Sequence, residues 1–240
     1  MNLSYVLPAF NESKRIQKTI DEVVKSSSIT SVDRFEIVII NDNSNDDTEN
    51  KIRDIKEKYP KLDIRVYKNK HNLGFGGATV KGLKLAKYSN IFWMPADNSH
   101  PSSEIKKILK EAGKYGIVST YYINSHERTI GRKLFTSIYT PFLNIIYGLK
   151  LPYYNGLSLI NKKIIDHIDI KTQAHCWQVE LWVKARHTKD FKYKFVPTIL
   201  KDNMNSVNAF KLNNSIKVIY NIFKLFFLNL YLFLKSKFFN

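Results

Sequence analysis

Residues 35–48 read FEIVIINDNSNDDT, an apolar run that changes abruptly into a polar, acidic cluster. A continuous run of Phe, Val and Ile is typical of a strand that is buried on both faces of a sheet. The following cluster, Asn41 to Asp47, is typical of a loop entering a helix, because Ser and Asn cap helices and acidic side chains favour the first turn. The stretch therefore predicts a strand–loop–helix unit of an α/β domain.

The same alternation continues on both sides of this unit. Apolar runs predict strands at 3–7, 35–40, 62–67, 90–94 and 116–120, and helical spacing predicts helices at 12–25, 46–58, 75–87 and 101–114. Alternating strands and helices indicate βαβ units and a mostly parallel sheet flanked by helices. In such sheets, ligands bind beyond the carboxyl ends of the strands.

The second half has a less regular pattern. An apolar helix is predicted at 130–149, with a kink or break at Pro141 because proline cannot donate a backbone hydrogen bond. A strand at 153–160, a helix at 175–187 and a strand at 192–196 follow. We expect one α/β domain over residues 1–210 and a helical tail over 211–240.

Three polar clusters follow predicted strand ends: NDNSNDD at 41–47, HNLGFGGA at 71–78 and PADNSH at 95–100. Asp42 could accept hydrogen bonds from a nucleoside, or the first cluster could simply be an acidic helix start. Glycines such as Gly76 let a backbone approach a phosphate, but their spacing and position do not match a dinucleotide-binding motif.

The third cluster predicts a divalent cation site. Asp97 and Ser99 offer oxygen ligands on a short turn, as Mg²⁺ prefers when it shares a substrate diphosphate. The same hexapeptide could also be a plain turn with an exposed His100. Zinc is disfavoured because no His or Cys partners lie at ligand spacing.

The amino-acid composition indicates which classes of molecule the protein could bind. The formal net charge is +17, and residues 121–240 carry 18 basic but only 6 acidic side chains. This excess attracts anionic lipid, nucleic acid or phosphorylated small molecules. No nucleic-acid-binding motif is present, and the aromatic residues lie in apolar runs, so a nucleic-acid partner is disfavoured.

The tail has the pattern of an amphipathic helix. Residues 216–234 place Ile, Leu, Phe and Tyr at helical spacing, while Lys217, Asn221 and Lys224 occupy another face. We expect this helix to lie in a membrane interface. A short membrane span, or a helix packed on the protein's own core or on a second copy, are the alternatives.

The order of four motifs, LPAFNE (7–12), INDNSNDDT (40–48), NLGFGGA (72–78) and PADNSHP (95–101), resembles the family-two GT-A glycosyltransferases. More narrowly, it resembles the dolichol- or polyprenyl-phosphate sugar synthases. The resemblance covers about the first 105 residues well, and it implies a Rossmann-like GT-A fold.

The resemblance also implies roles for particular residues. The predicted nucleotide-binding residues are Pro8, Phe10, Glu12, Asp42, Gly76 and Asp97, and the predicted metal ligands are Asp97 and Ser99 with Mg²⁺ or Mn²⁺. The predicted catalytic residues are Asp97, Arg132 and Glu180, and the predicted acceptor or phosphate contacts are Arg128, Arg132 and Ser206.

Several positions depart from the family's pattern. Asn41 and Asn43 replace an Asp and a Gly of the nucleoside loop, and Pro95 replaces the first Asp of the metal motif. Asn208 stands where the family's acceptor loop has a basic residue. Asp97 is therefore the one carboxylate of its motif.

The resemblance implies inverting transfer of a sugar from a UDP- or GDP-linked donor to a polyprenyl phosphate. The enzyme would act at the cytoplasmic face of a membrane, as a peripheral or C-terminally anchored protein. One alternative is transfer to a hydroxyl of a surface glycan or lipid-linked saccharide, which needs a general base such as Glu180, with Asp202 second. A non-catalytic sugar-nucleotide-binding protein is an alternative of another class.

Overall fold

The computed structural model describes residues 1–28, 30, 32–124, 130–172 and 176–201, without the side chains of 130–135. The strands are β1 Asn2–Ala9, β2 Arg34–Asn41, β3 Asp63–Lys68, β4 Asn90–Trp93, β5 Ile117–Tyr122, β6 Ser158–Asn161 and β7 Tyr193–Thr198. The helices are α1 Ile16–Ser28, α2 Thr48–Lys58, α3 Gly74–Leu85, α4 Ser102–Leu109, α5 Ile130–Tyr147, α6 Lys162–His167 and α7 Trp177–Ala185.

The seven strands of the described residues form one mixed sheet in the order β3-β2-β1-β4-β6-β5-β7. The pairs β1–β2, β1–β4, β2–β3 and β5–β7 are parallel, and β6 runs antiparallel to both neighbours. The expectation of a mostly parallel α/β sheet flanked by helices is confirmed.

The first two strands form the centre of the core. Residues 3–9 of β1 and 36–41 of β2 are all buried, which is why the β2 run lacks polar alternation. Gly82 brings α3 onto this centre, because a Cβ there would lie 2.3 Å from the Val6 Cγ1 atom.

The direction of strand order reverses between β1 and β4. From β1 the chain adds β2 and β3 on one side, and it then crosses to place β4 on the other side of β1. The loops that leave β1 and β4 therefore lie side by side at the carboxyl edge of the sheet, because the two strands are parallel neighbours. Such a switch point is where open α/β sheets bind ligands.

Several predicted bounds were wrong in the second half. α5 continues through Pro141, so the predicted break is absent; Pro141 lies on the exposed face, where losing one backbone hydrogen bond costs least. The strand predicted at 153–160 begins only at Ser158, and α6 was not predicted. β7 includes Pro197, which an edge strand tolerates.

None of the described helices is long and apolar enough to cross a bilayer. The predicted domain boundary near residue 210 and the predicted tail helix at 216–234 lie outside the described residues.

Candidate functional site

The loops after β1, β2 and β4 are joined at one edge of the sheet. The Asp42 amide donates to the Ala9 carbonyl over 2.8 Å, and the Ala96 amide donates to the Pro8 carbonyl over 3.4 Å. These backbone hydrogen bonds therefore hold the carboxyl ends of β1, β2 and β4 together, and we call this edge of the sheet the rim.

Side chains interlock the first two loops. The Asn11 amide donates to Ser44 Oγ over 3.0 Å, and Asn11 Oδ1 accepts from the Asn45 amide over 3.0 Å. Asn11 adopts a left-handed backbone with φ 58°, a conformation that Asn tolerates better than most residues. The Glu12 amide donates to Thr48 Oγ1 over 2.8 Å. These contacts hold the loops after β1 and β2 in a fixed arrangement.

Asp42 is buried beneath this rim, with 2% of its surface exposed. Its Oδ1 atom accepts from Asn69 Nδ2 over 2.7 Å and from the Leu73 amide over 2.8 Å. Asp42 thus braces the glycine-bearing loop that leads into α3. Its predicted contact with a nucleoside stays a prediction.

The glycine-bearing loop begins α3 directly. Leu73 is the N-cap residue and contributes no side-chain cap, and Gly74 has a φ of 77°. Gly76 is buried in the first turn. The amino end of α3 thus lies next to the Asp42 loop, where backbone amides could meet a phosphate.

The first loop offers an aromatic ring and a carboxyl group. Phe10 is 46% exposed, although it is a large apolar side chain. Glu12 Oε2 accepts from Arg15 Nε over 2.7 Å. Burial raises the pKa of Glu12 to about 7, against the lowering effect of Arg15, and the negative charges of Asp97 and Asp46 add to the rise. Pro8, the third predicted residue here, lies in buried β1.

The Asp97 turn, residues 95–100, follows β4. Asp97 is half-buried, and its Oδ1 atom accepts from the Ser99 amide over 3.0 Å and from Ser99 Oγ over 2.5 Å. Asn98 has a φ of 57°, and its amide donates to Thr19 Oγ1 over 2.9 Å, which fixes the turn on α1. Ser99 thus orients Asp97, and its predicted role as a metal ligand stays untested.

His100 is not the exposed residue of a plain turn, since only 3% of its surface is accessible. Its Nδ1 atom lies 2.8 Å from Ser99 Oγ, and its Nε2 atom lies 3.2 Å from the Tyr122 hydroxyl at the end of β5. Burial lowers the pKa of His100 to about 4, although Asp97 opposes the shift, so the ring is neutral at pH 7. No local sequence pattern predicts this contact, because Tyr122 is distant along the chain.

Lys201 connects the chain beyond β7 to the same turn. Its ammonium donates to Asn98 Oδ1 and to Glu22 Oε1, both over 2.7 Å, and its amide donates to the Ser99 carbonyl over 3.0 Å. Sequence reasoning missed both Lys201 and Glu22, which no local pattern distinguishes from surface charges.

The described residues contain no group of three or more His, Cys, Asp or Glu side chains that could hold a metal ion. Asp97 alone nevertheless fits a cation such as Mg²⁺, which usually keeps several waters and uses one or two carboxylates together with substrate phosphates. The donor set therefore suits a cation shared with a diphosphate and not one held by protein ligands only.

Glu180 lies in a different environment, inside α7, with 2% of its surface exposed. It accepts from the amides of Lys171 and Thr172 over 3.1 and 2.8 Å and from Lys184 Nζ over 2.5 Å. Burial alone would raise the pKa of Glu180, but Lys184 and these amides outweigh it and hold that pKa below its usual range. Its predicted role as a general base stays open, and its described contacts are those of a structural brace.

The predicted acceptor contacts and the second candidate base, Asp202, fall where side chains are not described. Arg128, Asp202 and Ser206 lie outside the described residues, and Arg132 lies in α5 in a stretch whose side chains are not described. Their roles stay predictions.

Two further features lie in the second half of the chain. Gly156 approaches β5 so closely that a Cβ would lie 2.0 Å from the Thr120 carbonyl oxygen, which explains why a glycine stands at this position. On α5, Ile138, Phe142 and Ile145 are 63%, 46% and 82% exposed. Their spacing places them on one face of the helix, as an apolar stripe.

Comparisons with known proteins agree with this architecture. Residues 4–169 match the model of the family described as Glycosyl transferase family 2. The chain is 26% identical over 210 residues to a dolichyl-phosphate beta-glucosyltransferase of Trichomonas vaginalis, covering 78% of this chain and 62% of that protein. It is 24% identical over 205 residues to a dolichol-phosphate mannosyltransferase of Pyrococcus furiosus, covering 81% and 56%. The chain thus spans less than two thirds of the length of either relative.

A solved structure shares the fold. Glucosyl-3-phosphoglycerate synthase from Mycobacterium tuberculosis, in complex with Mn²⁺, UDP and phosphoglyceric acid, aligns with a TM-score of 0.61 at 17% identity. The alignment covers 83% of this chain and 70% of that chain. The GT-A-like fold is confirmed by this alignment and by the described sheet. Because the family model matches more than half of its residues, the chain belongs to glycosyl transferase family 2.

Proposed function

We propose that this protein transfers a sugar from a UDP- or GDP-linked donor to a polyprenyl phosphate, with inversion at the anomeric carbon. The observation that carries the proposal is the convergence of the Asn11, Asp42 and Asp97 loops on the switch point of the sheet, in a family-two chain. The named relatives from Trichomonas vaginalis and Pyrococcus furiosus support the acceptor class.

The described loops support a site for the nucleotide-sugar donor. The exposed Phe10 ring and the Glu12 carboxyl would contact the base and ribose, and the amino end of α3 would face the phosphates. Asp97 would hold Mg²⁺ or Mn²⁺, and the cation would stabilise the departing diphosphate as a Lewis acid. The Mn²⁺ and UDP named with the aligned mycobacterial enzyme support this donor chemistry.

The environment of Glu180 favours a phosphate acceptor over a hydroxyl acceptor. A hydroxyl acceptor needs a general base within hydrogen-bond reach, whereas a phosphate is already an anionic nucleophile. Glu180 is buried, and it is committed to Lys184 and to two backbone amides. A carboxylate held this way is poorly placed to take a proton from a substrate, so the chemistry that needs no base fits better.

The acceptor would be met at a membrane surface. The exposed stripe of Ile138, Phe142 and Ile145 on α5 supports this location, because three neighbouring apolar side chains stabilise contact with lipid more than contact with water. The basic excess of residues 121–240 favours an anionic leaflet. We propose peripheral attachment at the cytoplasmic face, with the tail at 216–234 as a second contact or an anchor. Pairing of two copies through that tail stays a prediction.

The deciding experiment is a panel of UDP- and GDP-sugars incubated with the full chain and Mn²⁺, with and without undecaprenyl phosphate. We expect a lipid-linked sugar product from at least one donor. Transfer to a saccharide hydroxyl but not to the lipid phosphate would replace the acceptor assignment. Binding of nucleotide-sugars without transfer to any acceptor would identify a non-catalytic binding protein.

A further inference from the structure

A continuous series of hydrogen-bonded side chains leads from Asp97 to Tyr122 at the end of β5. Asp97 Oδ1 lies 2.5 Å from Ser99 Oγ, Ser99 Oγ lies 2.8 Å from His100 Nδ1, and His100 Nε2 lies 3.2 Å from the Tyr122 hydroxyl. Ser99 and His100 are both 3% exposed, so water competes little with these contacts. We call these four residues the Asp97 relay.

The direction of the first two bonds follows from donor capacity. A carboxylate only accepts, so the single Ser99 hydroxyl proton points to Asp97. Ser99 Oγ must then accept from His100, which places a proton on Nδ1. A neutral ring consequently offers Nε2 as the acceptor for the Tyr122 hydroxyl. Each donor therefore points toward Asp97, and hydrogen bonds aligned in series polarise one another.

The Asp97 relay engages one of the two carboxylate oxygens of Asp97. Oδ1 accepts from both the amide and the hydroxyl of Ser99. A cation at the turn would therefore be held through Oδ2. A ligand carboxylate whose second oxygen is hydrogen-bonded loses fewer orientations when metal binds, and partners of this kind commonly tune metal affinity.

The other end of the relay lies on the half of the sheet opposite the donor loops. Tyr122 ends β5, and its ring makes an edge contact with Tyr153 at a centroid distance of 5.6 Å. Tyr153 belongs to the segment between α5 and β6. The relay thus joins the donor-side turn to the side that carries α5.

We propose that His100 and Tyr122 are positioning residues that fix the Asp97 carboxylate for the donor's divalent cation. The inference rests on the proposed function, because it assumes that Asp97 meets a cation. It goes further because it assigns a role to two residues that connect to Asp97 through Ser99.

The test measures Mn²⁺ binding directly, by the loss of the free-ion electron paramagnetic resonance signal, with the full chain and saturating UDP or GDP. Tyr122→Phe removes the terminal hydroxyl and keeps the ring. Tyr121→Phe is the matched control on the same strand, since neighbouring strand residues point to opposite faces. Ser99→Ala breaks the relay next to Asp97, and the double variant Ser99→Ala/Tyr122→Phe tests whether the two residues act through one path.

We expect Tyr122→Phe to weaken Mn²⁺ binding about threefold and Ser99→Ala about tenfold, the scale of single hydrogen bonds. Tyr121→Phe should change nothing. The double variant should bind Mn²⁺ no more weakly than Ser99→Ala alone, and the melting temperature of Tyr122→Phe should stay close to that of the wild type. His100→Asn, which keeps an amide donor near the Nδ1 position, should retain more Mn²⁺ affinity than His100→Leu.

Two results would overturn the inference: equal Mn²⁺ affinity in Tyr122→Phe and Tyr121→Phe, or a Tyr122→Phe effect that persists undiminished without Ser99. A wild type that binds no Mn²⁺ would also overturn it. Failure of the proposed function looks different, because a protein that shows the expected Mn²⁺ series but transfers no sugar to polyprenyl phosphate would lose only the acceptor assignment.

Discussion

Asp97 and Glu180 are both carboxylates predicted to be catalytic, but their burial and their hydrogen-bond partners differ. Asp97 is half-buried on a turn at the switch point, with Ser99 bonded to one oxygen. Glu180 is buried within α7, where an ammonium and two backbone amides surround it. A carboxylate whose contacts are satisfied by the protein stabilises the fold, and one with an oxygen still available can serve a ligand.

The largest expected effect is on Asp97. Asp97→Ala should lower kcat/KM in Mn²⁺ by about 100-fold or more, because the departing diphosphate loses the residue that holds its cation. The melting temperature should change little, since the hydrogen bonds of the carboxylate within the described residues go to Ser99 of its own turn. Steady-state kinetics against Mn²⁺ and Mg²⁺ concentration, with circular dichroism melts, measure both quantities. Full activity of the variant, or of the wild type in EDTA, would contradict the metal assignment.

Glu180 should show the reverse pattern. Glu180→Gln should reduce the free energy of unfolding by about 2 kcal/mol, because Lys184 loses a charged partner and the amides of Lys171 and Thr172 lose a charged acceptor. Activity per folded molecule should stay near that of the wild type. Urea unfolding measures the first quantity.

Glu49→Gln is the control for Glu180→Gln, because Glu49 pairs with Lys68 on the surface and the two side chains are 55% and 50% exposed. Its stability should change by less than about 1 kcal/mol. A Glu180→Gln protein with normal stability but greatly reduced turnover would restore Glu180 as a general base.

Lys201 extends the comparison of Asp97 with Glu180 to a residue that supports the Asp97 turn. It lies at the end of the described chain. Lys201→Met should raise the apparent Mn²⁺ requirement about fivefold, since the ammonium holds Asn98 against Glu22. The matched control is Lys194→Met, whose ammonium pairs with Glu111 away from the turn. Equal Mn²⁺ dependence in the two variants would remove Lys201 from the site.

The smallest expected effect is the pH dependence of the stability that Glu180 contributes. The contacts of Glu180 hold its pKa below the usual range, so the folded state keeps this carboxylate ionised where the unfolded chain would protonate it. Its contribution is complete above the ordinary glutamate pKa of about 4.3 and is lost as the pH falls through the lower folded value. The stability difference between wild type and Glu180→Gln should therefore narrow below about pH 4. A constant difference from pH 7 to pH 3 would contradict the lowered pKa.

The same comparison separates what the sequence could predict from what it could not. Local patterns predicted β2, the cluster beginning at Asn41 and the turn containing Asp97, because a buried strand and the loop after it are continuous in sequence. The partners of Glu180 were not predictable, since its contacts with residues 171–172 depend on how α7 packs. His100 and Tyr122 meet only because β5 returns beside the Asp97 turn.

Local rules also failed where tertiary context outweighed them. The apolar stretch with Pro141 was expected to kink or break, yet α5 continues through the proline, which lies on its exposed face. The partners of Asp42 Oδ1, which are Asn69 and the Leu73 amide, likewise depend on tertiary packing, and the predicted contact of Asp42 with a nucleoside stays a prediction.

Calorimetric titration of UDP and GDP into the wild type, Asp97→Ala and Glu180→Gln, each with Mn²⁺ and then with EDTA, tests most directly that the Asp97 turn is the donor site. We predict tight, Mn²⁺-dependent binding of one nucleotide to the wild type and to Glu180→Gln, and loss of the Mn²⁺ dependence in Asp97→Ala. Mn²⁺-dependent binding that survives in Asp97→Ala and disappears in Glu180→Gln would contradict the account.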